Sequence, residues 1–466
     1  MNKHTGLYTD HYELTMAEGY YYAGKHNQPA SFDYFFRKAP FGGSYVIFSG
    51  LNNILQLLEG LQFDKDDLEF LKGIGFREEF VEYLADFRFK GKVVAPKEGE
   101  IVFPVQPVMH VEGTLLEAQI IETMLLNVIN MESLIATKAN RIREVAGDRL
   151  IVDFGLRRAH GLGGIQASRA AIVGGFNGTS NVYSAKAFGI KSSGTMAHSW
   201  VQSFDDELTA FQTFADSFPD NTILLVDTYN TLRSGVPNAI KVAKKMKEKG
   251  HQIKGIRLDS GDLSYLSKKA RKMLDDEGLH EVTIMASNQL DETVIQSLIK
   301  EKAPIDAFGV GTSLVTGQPD AALDGVYKLA MNNNEPVLKL SENIEKVTLP
   351  GIKQVYRYLD ENNTFYADGI GTLEEDTIDH IFHPFTPEKN TSLKGFTQTT
   401  LRETVMENGE ITNEPVSAEK ASAYREERLK LLPEEHKRFV NPHIYKVGIS
   451  EALKKTRDKL KKKHHF

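Results

Sequence analysis

Three short apolar runs between residues 223 and 287 decide the fold: ILLVDT (223–228), IKGIRLD (253–259) and VTIMAS (282–287). Each run ends in a polar or charged side chain, and helix-like stretches separate the runs. Continuous apolar runs of this length are typical of parallel strands that are buried on both faces. The segment therefore predicts repeated strand–helix units around a parallel sheet.

The same pattern continues on both sides of this segment. LIVDF (150–154) precedes it and DAFGVG (306–311) follows it. From Asp227 onward, successive run ends are 32, 28 and 24 residues apart, which is the length of one strand, one helix and their turns. Polar residues at each strand's carboxyl end are typical of α/β barrels, whose sites lie on that face. We predict such a barrel, with a doubly wound open sheet as the alternative.

The flanking segments have a different character. Residues 1–120 have the pattern of a mixed α+β unit, and the chain beyond residue 340 is polar and turn-rich. A chain of 466 residues exceeds the roughly 250–300 residues at which single domains stop growing. We predict an α+β domain from 1–120, a barrel with the active site from 121–340, and a C-terminal segment, 341–466, that packs back on the N-terminal part.

Composition excludes several functional classes. The chain has no cysteine, which excludes disulfides, thiolate metal sites and a cysteine nucleophile, and fits a cytoplasmic location. The net charge of −7 argues against nucleic-acid binding. We also expect no signal peptide, and no membrane span because no run approaches about 20 apolar residues. The basic end KKTRDKLKKKHHF (454–466) has the pattern of a solvated helix end.

Two motifs after the first strand of the series carry groups that bind anions. DFGLRRAHG (153–161) contains Arg157 and Arg158, whose planar guanidiniums suit carboxylate or phosphate oxygens. The glycines of GGFNGTSN (174–181) allow a ligand to approach the backbone closely. Surface ion pairs and a plain tight loop are the structural alternatives.

GTMAHSW (194–200) places Thr195 and His198 three residues apart, on one face if the segment is helical. His198 is a candidate general base, metal ligand or phosphoryl acceptor, and a partly buried structural histidine is the alternative. Trp200, the only tryptophan, is expected to serve in packing.

GIRLDSGDL (255–263) combines one cation, Arg257, with two carboxylates, Asp259 and Asp262. This set suits a polyanion held with Mg²⁺, because arginine binds phosphate oxygens and carboxylates or their waters bind the metal. Asp227 is a further carboxylate candidate at the same edge. A turn in which the arginine and aspartates satisfy one another is the alternative.

FGVGTSLVTG (308–317) has the composition of a phosphate-binding loop after a late barrel strand, with Gly311 and Thr312 at its centre. Together with Ser287, groups that bind anions recur at five strand ends. This density predicts a small substrate that carries several phosphates.

These motifs resemble the nicotinate phosphoribosyltransferase family. The resemblance covers about residues 5 to 370 and includes KLSENIEKVTLPGIKQVYR (339–357). The motifs that carry it, in chain order, are TDHYELTM (9–16), DFGLRRAHG, GGFNGTSN, GTMAHSW, RLDSGDL, SNQLDE (287–292), FGVGTSLVTG and GVYKLA (325–330).

The resemblance implies an irregular TIM-like α/β barrel beside an α+β open sandwich built from the N-terminal and C-terminal segments. It implies a C–N bond-forming ligase of NAD biosynthesis and salvage, which converts nicotinate, phosphoribosyl pyrophosphate, ATP and water into nicotinate mononucleotide, pyrophosphate, ADP and phosphate. ATP is the co-substrate, Mg²⁺ the cofactor, and the matching position for an autophosphorylated histidine is His198.

The resemblance also implies substrate-binding positions. Tyr12 and Thr195 match nicotinate-binding positions, Arg157 matches the arginine that binds the carboxylate, and Arg257 and Thr312 match phosphoribosyl pyrophosphate contacts. Family members are usually homodimers whose active sites are completed across the interface by aromatic residues near the N-terminus. FDYFFRK (32–38), with Phe36 and Arg37, is the candidate segment for this.

Other functions stay open at this point. Ser180 stands where nicotinamide phosphoribosyltransferase has an aspartate, and a serine does not repel a carboxylate, so the acid substrate is favoured. Quinolinate phosphoribosyltransferase is usually shorter and lacks the phosphorylated histidine. A phosphometabolite sensor without turnover is disfavoured by the presence of four residues suited to catalysis: Arg257, Asp259, Asp262 and His198. An aldolase is disfavoured because no strand end above carries a lysine.

Overall fold

The computed structural model describes residues 5–341 and 347–464, which contain 17 α-helices and 21 strands. Residues 342–346 of the family-like stretch 339–357 and the final two residues of the basic end lie outside the described residues. The strands are β1 (Pro29–Phe36), β2 (Val46–Ile47), β3 (Lys92–Ala95), β4 (Ile101–Val102), β5 (Met109–Thr114), β6 (Leu150–Asp153), β7 (Gly178–Thr179), β8 (Ile223–Leu225), β9 (Gly255–Leu258), β10 (Thr283–Ser287), β11 (Ala307–Val310), β12 (Gly325–Asn332), β13 (Glu335–Pro336), β14 (Lys353–Leu359), β15 (Phe365–Thr372), β16 (His380–Phe382), β17 (Asn390–Ser392), β18 (Thr397–Thr400), β19 (Glu403–Glu407), β20 (Glu410–Ile411) and β21 (Lys446–Ile449).

A 3₁₀ turn at Leu156–Arg158 and a π-helical turn at Thr231–Gly235 add to the α-helices. In the described residues, none of the helices combines the length and apolar character needed to cross a bilayer. The helices are α1 (His11–Tyr22), α2 (Leu51–Glu59), α3 (Lys65–Gly73), α4 (Glu78–Ala85), α5 (Leu115–Ile120), α6 (Glu122–Ala146), α7 (Gly163–Val173), α8 (Val182–Phe188), α9 (His198–Gln202), α10 (Glu207–Ser217), α11 (Val236–Glu248), α12 (Leu263–Asp276), α13 (Glu292–Lys300), α14 (Thr312–Val315), α15 (Ala418–Leu431), α16 (Glu434–Lys437) and α17 (Glu451–His464).

The chain divides into two units. Unit 1 comprises Met1–Leu134 and Ala322–Phe466, and unit 2 comprises Ile135–Ala321. Unit 1 therefore contains both flanking segments of the sequence, and unit 2 contains the series of apolar runs.

Unit 1 is built on two large sheets. One has the order β13-β12-β1-β5-β3-β19-β20, the other has the order β17-β16-β21-β15-β14-β18, and a short β2-β4 ladder is separate from both. At the centre of the first sheet, Phe32 of β1 stacks on Tyr327 of β12 with ring centroids 4.8 Å apart. In the second sheet, the buried Arg357 pairs with Asp368 at 2.8 Å and with Glu100 at 2.7 Å. Aromatic packing and paired buried charges thus hold this unit.

Unit 2 contains one six-stranded sheet, in the order β7-β6-β11-β10-β9-β8, whose neighbouring strands are all parallel. Its central strands are buried almost throughout, which explains why they appear in the sequence as continuous apolar runs. The parallel α/β sheet predicted from those runs is confirmed. Because all six strands run the same way, their carboxyl ends share one edge, which we call the carboxyl edge.

Several helices of unit 2 begin at a side chain that caps the first turn. Asn181, Asp206, Asp262 and Asp291 each accept a hydrogen bond from a backbone N–H in the first turn of α8, α10, α12 and α13, respectively. Such caps satisfy N–H groups that the helix itself leaves without partners. They fix the residue at which each of these helices starts.

Candidate active site at the carboxyl edge of unit 2

Two carboxylates are held side by side at the carboxyl edge. Asp227 follows β8 and Asp259 follows β9 directly. The backbone N–H of Asp259 donates to Asp227 Oδ2 at 2.9 Å, and the hydroxyl of Ser260 donates to the same oxygen at 2.6 Å. Ser287, the last residue of β10, donates its hydroxyl to Asp259 Oδ1. These bonds fix both carboxylates before any ligand binds.

His198 lies next to this pair as the first residue of α9. Its Nδ1 is 3.1 Å from the hydroxyl oxygen of Thr228, and its Nε2 is 3.7 Å from Asp259 Oδ2. The side chain is 40 % exposed. The imidazole is therefore oriented by neighbours on both nitrogens and is still accessible to a substrate.

Arg257 supplies a cation to the same cluster from within β9. Its Nη2 donates to the carbonyl oxygen of Met196 at 2.8 Å, and its Nη1 lies 4.0 Å from Asp259 Oδ1. Its buried Nε has no hydrogen-bond partner among the described residues. Burial lowers the pKa of Arg257. The negative charges of Asp259 and Asp227 oppose this shift, whereas the positive charge of Arg157 adds to it. An incoming anion would relieve this desolvated cation.

Asp227 retains an unused acceptor. Its Oδ1 is buried and has no hydrogen-bond partner within residues 5–341 and 347–464. A buried oxygen without a partner is costly, so it marks a place where a ligand hydroxyl or a cation would bind.

Arg157 and Arg158 lie in the 3₁₀ turn that follows β6, and both are exposed. Arg157 forms no hydrogen bond or ion pair with any residue that the structure describes, but its charge contributes to the lowered pKa of Arg257. The two cations are therefore near enough to interact through space. Arg157 is thus available to an anionic group at this edge.

The remaining predicted loops lie at the same edge. Ser180 follows β7, and its N–H donates to the backbone carbonyl of Asp153 at 2.8 Å. Gly311 separates β11 from α14, which begins at Thr312. A Cβ at Gly311 would lie 3.3 Å from the carbonyl oxygen of Phe154, so a side chain there would press on the loop after β6. Thr312 is exposed.

Three of the predicted residues also have contacts that support the fold. Asp262 caps α12 by accepting from the N–H of Tyr265 at 2.9 Å. Thr195 precedes α9 rather than sharing its face with His198, because the helix begins only at His198, and its hydroxyl donates to the carbonyl of Met196 at 3.3 Å. Trp200 is a packing residue, as predicted: it packs on Phe204 and Phe214.

No group of three or more His, Asp or Glu side chains suited to a metal occurs in the described part of the chain. A divalent cation at the carboxyl edge would therefore need ligands from the substrate in addition to the aspartates. Pyrophosphate oxygens are suitable ligands of this kind for Mg²⁺.

Tyr12, Phe36 and Arg37 belong to unit 1. Tyr12 lies on α1 with its side chain 48 % exposed. Phe36 is buried at the end of β1, so its ring is not available to a ligand. Arg37 lies 4.0 Å from Asp324 and lines a cavity of unit 1.

Sequence reasoning did not assign roles to three residues at the carboxyl edge. Thr228 contacts His198, and the carbonyl of Met196 holds Arg257. Asp153 is completely buried beneath the loops that carry Arg157 and Ser180. Thr228 and Asp153 each stand at the end of an apolar run, so strand-end position was the signal for both. A backbone carbonyl leaves no such signal.

These contacts define a class of protein: an α/β domain that gathers a histidine, two carboxylates and two arginines at the carboxyl edge of a parallel sheet, a site suited to phosphates and a carboxylate. Comparison with known proteins identifies the family. The N-terminal domain model of nicotinate phosphoribosyltransferase matches residues 7–130, the family model matches 150–372, and the C-terminal domain model matches 352–457.

Individual relatives agree with this. The chain is 44 % identical over 456 residues to nicotinate phosphoribosyltransferase of Bacillus subtilis (strain 168), covering 96 % of this chain and 93 % of the relative. It is 36 % identical over 515 residues to the Caenorhabditis elegans protein of the same name, covering 96 % and 92 %. The crystal structure of human nicotinic acid phosphoribosyltransferase aligns with a TM-score of 0.87 at 30 % identity, covering 97 % of this chain and 99 % of that chain. The chain belongs to the nicotinate phosphoribosyltransferase family.

Proposed function

We propose that the protein joins nicotinate to phosphoribosyl pyrophosphate, forming nicotinate mononucleotide and pyrophosphate in NAD biosynthesis. The observation that carries the proposal is the cluster around Asp259: its carboxylate lies 3.7 Å from His198 Nε2 and 4.0 Å from Arg257 Nη1, and its backbone N–H donates to the carboxylate of Asp227 at 2.9 Å. The reaction is inferred from the relatives, which are nicotinate phosphoribosyltransferases. The cluster provides the cation, the histidine and the carboxylates that such a reaction needs.

Each residue has a role in this proposal. Arg157 binds the nicotinate carboxylate through its planar fork, and Tyr12 packs against the pyridine ring. Arg257 binds the pyrophosphate and stabilises the negative charge that grows on it as the bond to the ribose breaks. Gly311 and Thr312 offer backbone N–H groups to phosphate oxygens. Asp227 accepts from a ribose hydroxyl or contacts the cation.

Mg²⁺ fits the carboxyl edge, because Asp227 Oδ1 is a buried acceptor without a partner among the described residues. We propose that Asp259 holds the cation together with Asp227, through this oxygen, or with Asp262. A bound Mg²⁺ would supply positive charge that neutralises the pyrophosphate.

We also propose that the reaction is coupled to ATP through phosphorylation of His198. A ring nitrogen attacks the γ-phosphorus of ATP, the bond to the bridging oxygen breaks, and ADP leaves. The phosphorylated ring adds negative charge at the carboxyl edge, and its later hydrolysis drives the synthesis. The 40 % exposure of His198 and its contacts to Thr228 and Asp259 support this role.

The strand order supports the proposal that the parallel sheet is an irregular barrel. The last strand of the series, β11, pairs with the first, β6, as in a closed barrel. In a doubly wound sheet the first strand lies inside and later strands extend outward from it. The gap in the described ladder falls between β7 and β8.

We further propose a homodimer with shared active sites.

One assay tests the function. Purified protein is offered nicotinate, nicotinamide or quinolinate with phosphoribosyl pyrophosphate, each with and without ATP. We expect product from nicotinate, with more formed when ATP is present. Product from quinolinate with release of CO₂, or from nicotinamide alone, would overturn the assignment.

ATP labelled at the γ-phosphate tests the coupling to ATP. Labelling of the protein and ATP hydrolysis should both disappear in His198→Ala, and persistence of both would contradict the coupling.

A further inference from the structure

Asp153 is a buried carboxylate to which the proposed reaction gives no task. It ends β6, its side chain is completely buried, and it forms no ion pair with any residue in the described ranges. Burial raises its pKa, and hydrogen bonds from Thr179, Gly155 and Ser168 oppose this shift. Burying a carboxyl group without a cation beside it costs folding free energy, so its presence at this position calls for an explanation.

The hydrogen bonds of Asp153 run to two different loops of the carboxyl edge. Its Oδ1 accepts from the N–H of Gly155 at 2.8 Å, which shapes the turn that leads into Arg157. Its Oδ2 accepts from the hydroxyl of Thr179 at 2.7 Å, and its backbone carbonyl accepts from the N–H of Ser180 at 2.8 Å. One residue thus ties the loop after β6 to the loop after β7.

Further buried polar groups complete this network. Asp153 Oδ2 also accepts from the hydroxyl of Ser168 on α7 at 2.8 Å. The hydroxyl oxygen of Thr179 accepts from the N–H of Asn181 at 3.0 Å. Asn181 in turn donates from Nδ2 to the carbonyl of Gly164 at 3.2 Å and caps α8. Ser168, Thr179 and Asn181 are all fully buried, so water cannot replace these bonds.

We propose that Asp153 is a positioning residue for the aromatic-acid subsite: through Gly155 and Thr179 it sets the spacing between Arg157, which binds the substrate carboxylate, and the Ser180 loop. The inference rests on the proposed function, because it assigns nicotinate to these two loops. A fully satisfied buried network specifies one arrangement of the groups attached to it, so weakening it loosens the geometry on which recognition depends.

The inference predicts a selective defect. Loss of the Thr179 hydroxyl, which removes its bond to Asp153 and its bond from the N–H of Asn181, should raise the KM for nicotinate by about threefold or more, since one hydrogen bond corresponds to roughly three- to tenfold. The KM for phosphoribosyl pyrophosphate should change much less, because Thr179 lies on β7, which pairs only with β6 in the described sheet, whereas Arg257 lies on β9 and the Gly311 loop follows β11. A merely structural network would not separate the two substrates.

Thr179→Val tests this, because valine keeps the shape and removes the hydroxyl. Thr222→Val is the matched control: Thr222 is equally buried, its hydroxyl donates to the carbonyl of Phe218 at 2.7 Å, and it precedes β8, so it lies at the amino end of the parallel strands and not at the carboxyl edge. Thr179→Ser keeps the hydroxyl and should restore the KM for nicotinate. Ser168→Ala removes a second bond and provides the result if Thr179→Val fails to fold.

The outcomes separate this inference from the proposed function. The expected result is a raised KM for nicotinate in Thr179→Val and Ser168→Ala, with wild-type values in Thr179→Ser and Thr222→Val. If wild-type protein is active but Thr179→Val and Thr222→Val have the same KM, or both substrates are affected alike, the inference is wrong and the function stands. If wild-type protein neither binds nicotinate in calorimetry nor forms product, both are wrong.

Discussion

At the scale of single residues, Arg157 differs from Arg257 because its side chain has no hydrogen-bond or ion-pair partner among the described residues. Its guanidinium contributes no ion pair to the fold, so replacing it should leave stability unchanged while removing the fork that binds two carboxylate oxygens. We expect Arg157→Lys to raise the KM for nicotinate by about tenfold or more, the equivalent of roughly 1.4 kcal/mol. Steady-state kinetics and a thermal melt check this.

Arg158 is the comparison for this variant, because it lies in the same 3₁₀ turn and is also exposed. The family resemblance assigns the carboxylate to Arg157 only. Arg158→Lys should therefore change the KM for nicotinate by less than about twofold, within the scatter expected of a surface substitution. Equal effects of the two variants would mean that both arginines bind the substrate, or that neither does.

The buried Glu13, next to Tyr12 on α1, should make the stability of the protein depend on pH. Its side chain is fully buried, and burial raises its pKa to about 7, although bonds from Tyr12 and Gln119 oppose the shift. Because the folded chain then holds this proton more tightly than the unfolded chain, the free energy of unfolding falls as the pH rises from 4.5 to about 7, and stays level above.

Glu13→Gln removes this ionisation and keeps the shape of the side chain. The free energy of unfolding of the variant minus that of wild type should therefore be larger at pH 8 than at pH 5, by up to about 3 kcal/mol, since one pKa unit corresponds to roughly 1.4 kcal/mol. Urea unfolding of both proteins at the two pH values measures this. A stability difference that is the same at pH 5 and pH 8 would contradict the assignment.

At the scale of elements, the loop after β6 is fitted closely to α14. A Cβ at Gly155 would lie 2.1 Å from Cγ1 of Val315, a distance that forces one of the two elements to move. We expect Gly155→Ala to lower the melting temperature and raise the KM for nicotinate, because the turn that carries Arg157 would be displaced. The double variant Gly155→Ala, Val315→Ala opens space and should recover part of both. If the double variant loses more melting temperature than the two single variants together, the contact between residues 155 and 315 is not the cause of the defect.

The elements also show what the sequence could predict. The runs at β8 to β11 predicted parallel strands because burial on both faces leaves an unbroken apolar signal. β7 has only two residues, Gly178–Thr179, and carries no such signal. Similarly, Asp227, Arg257 and Asp259 were found as charged residues at run ends. The contact between His198 and Thr228 could not be predicted, because it depends on how two loops 30 residues apart meet.

At the scale of the whole molecule, the proposal of shared active sites leads to a test by mixing. His198 belongs to unit 2 and Arg37 to unit 1, where it lines a cavity and its buried Nε has no hydrogen-bond partner among the described residues. If each active site takes His198 from one subunit and Arg37 from the other, His198→Ala and Arg37→Ala should each be nearly inactive alone.

Unfolding and refolding the two variants together would form mixed dimers, in which one site carries both substitutions and the other carries none. Random pairing makes half of the dimers mixed, so activity should return to about a quarter of the wild-type value, as expected for a twofold-symmetric dimer. Each variant refolded alone is the control. Recovery to this level would establish that the two residues act in one site across the interface. No recovery, with dimers present by sedimentation, would mean that each chain completes its own site. Full activity of Arg37→Ala refolded alone would mean that Arg37 has no part in the reaction.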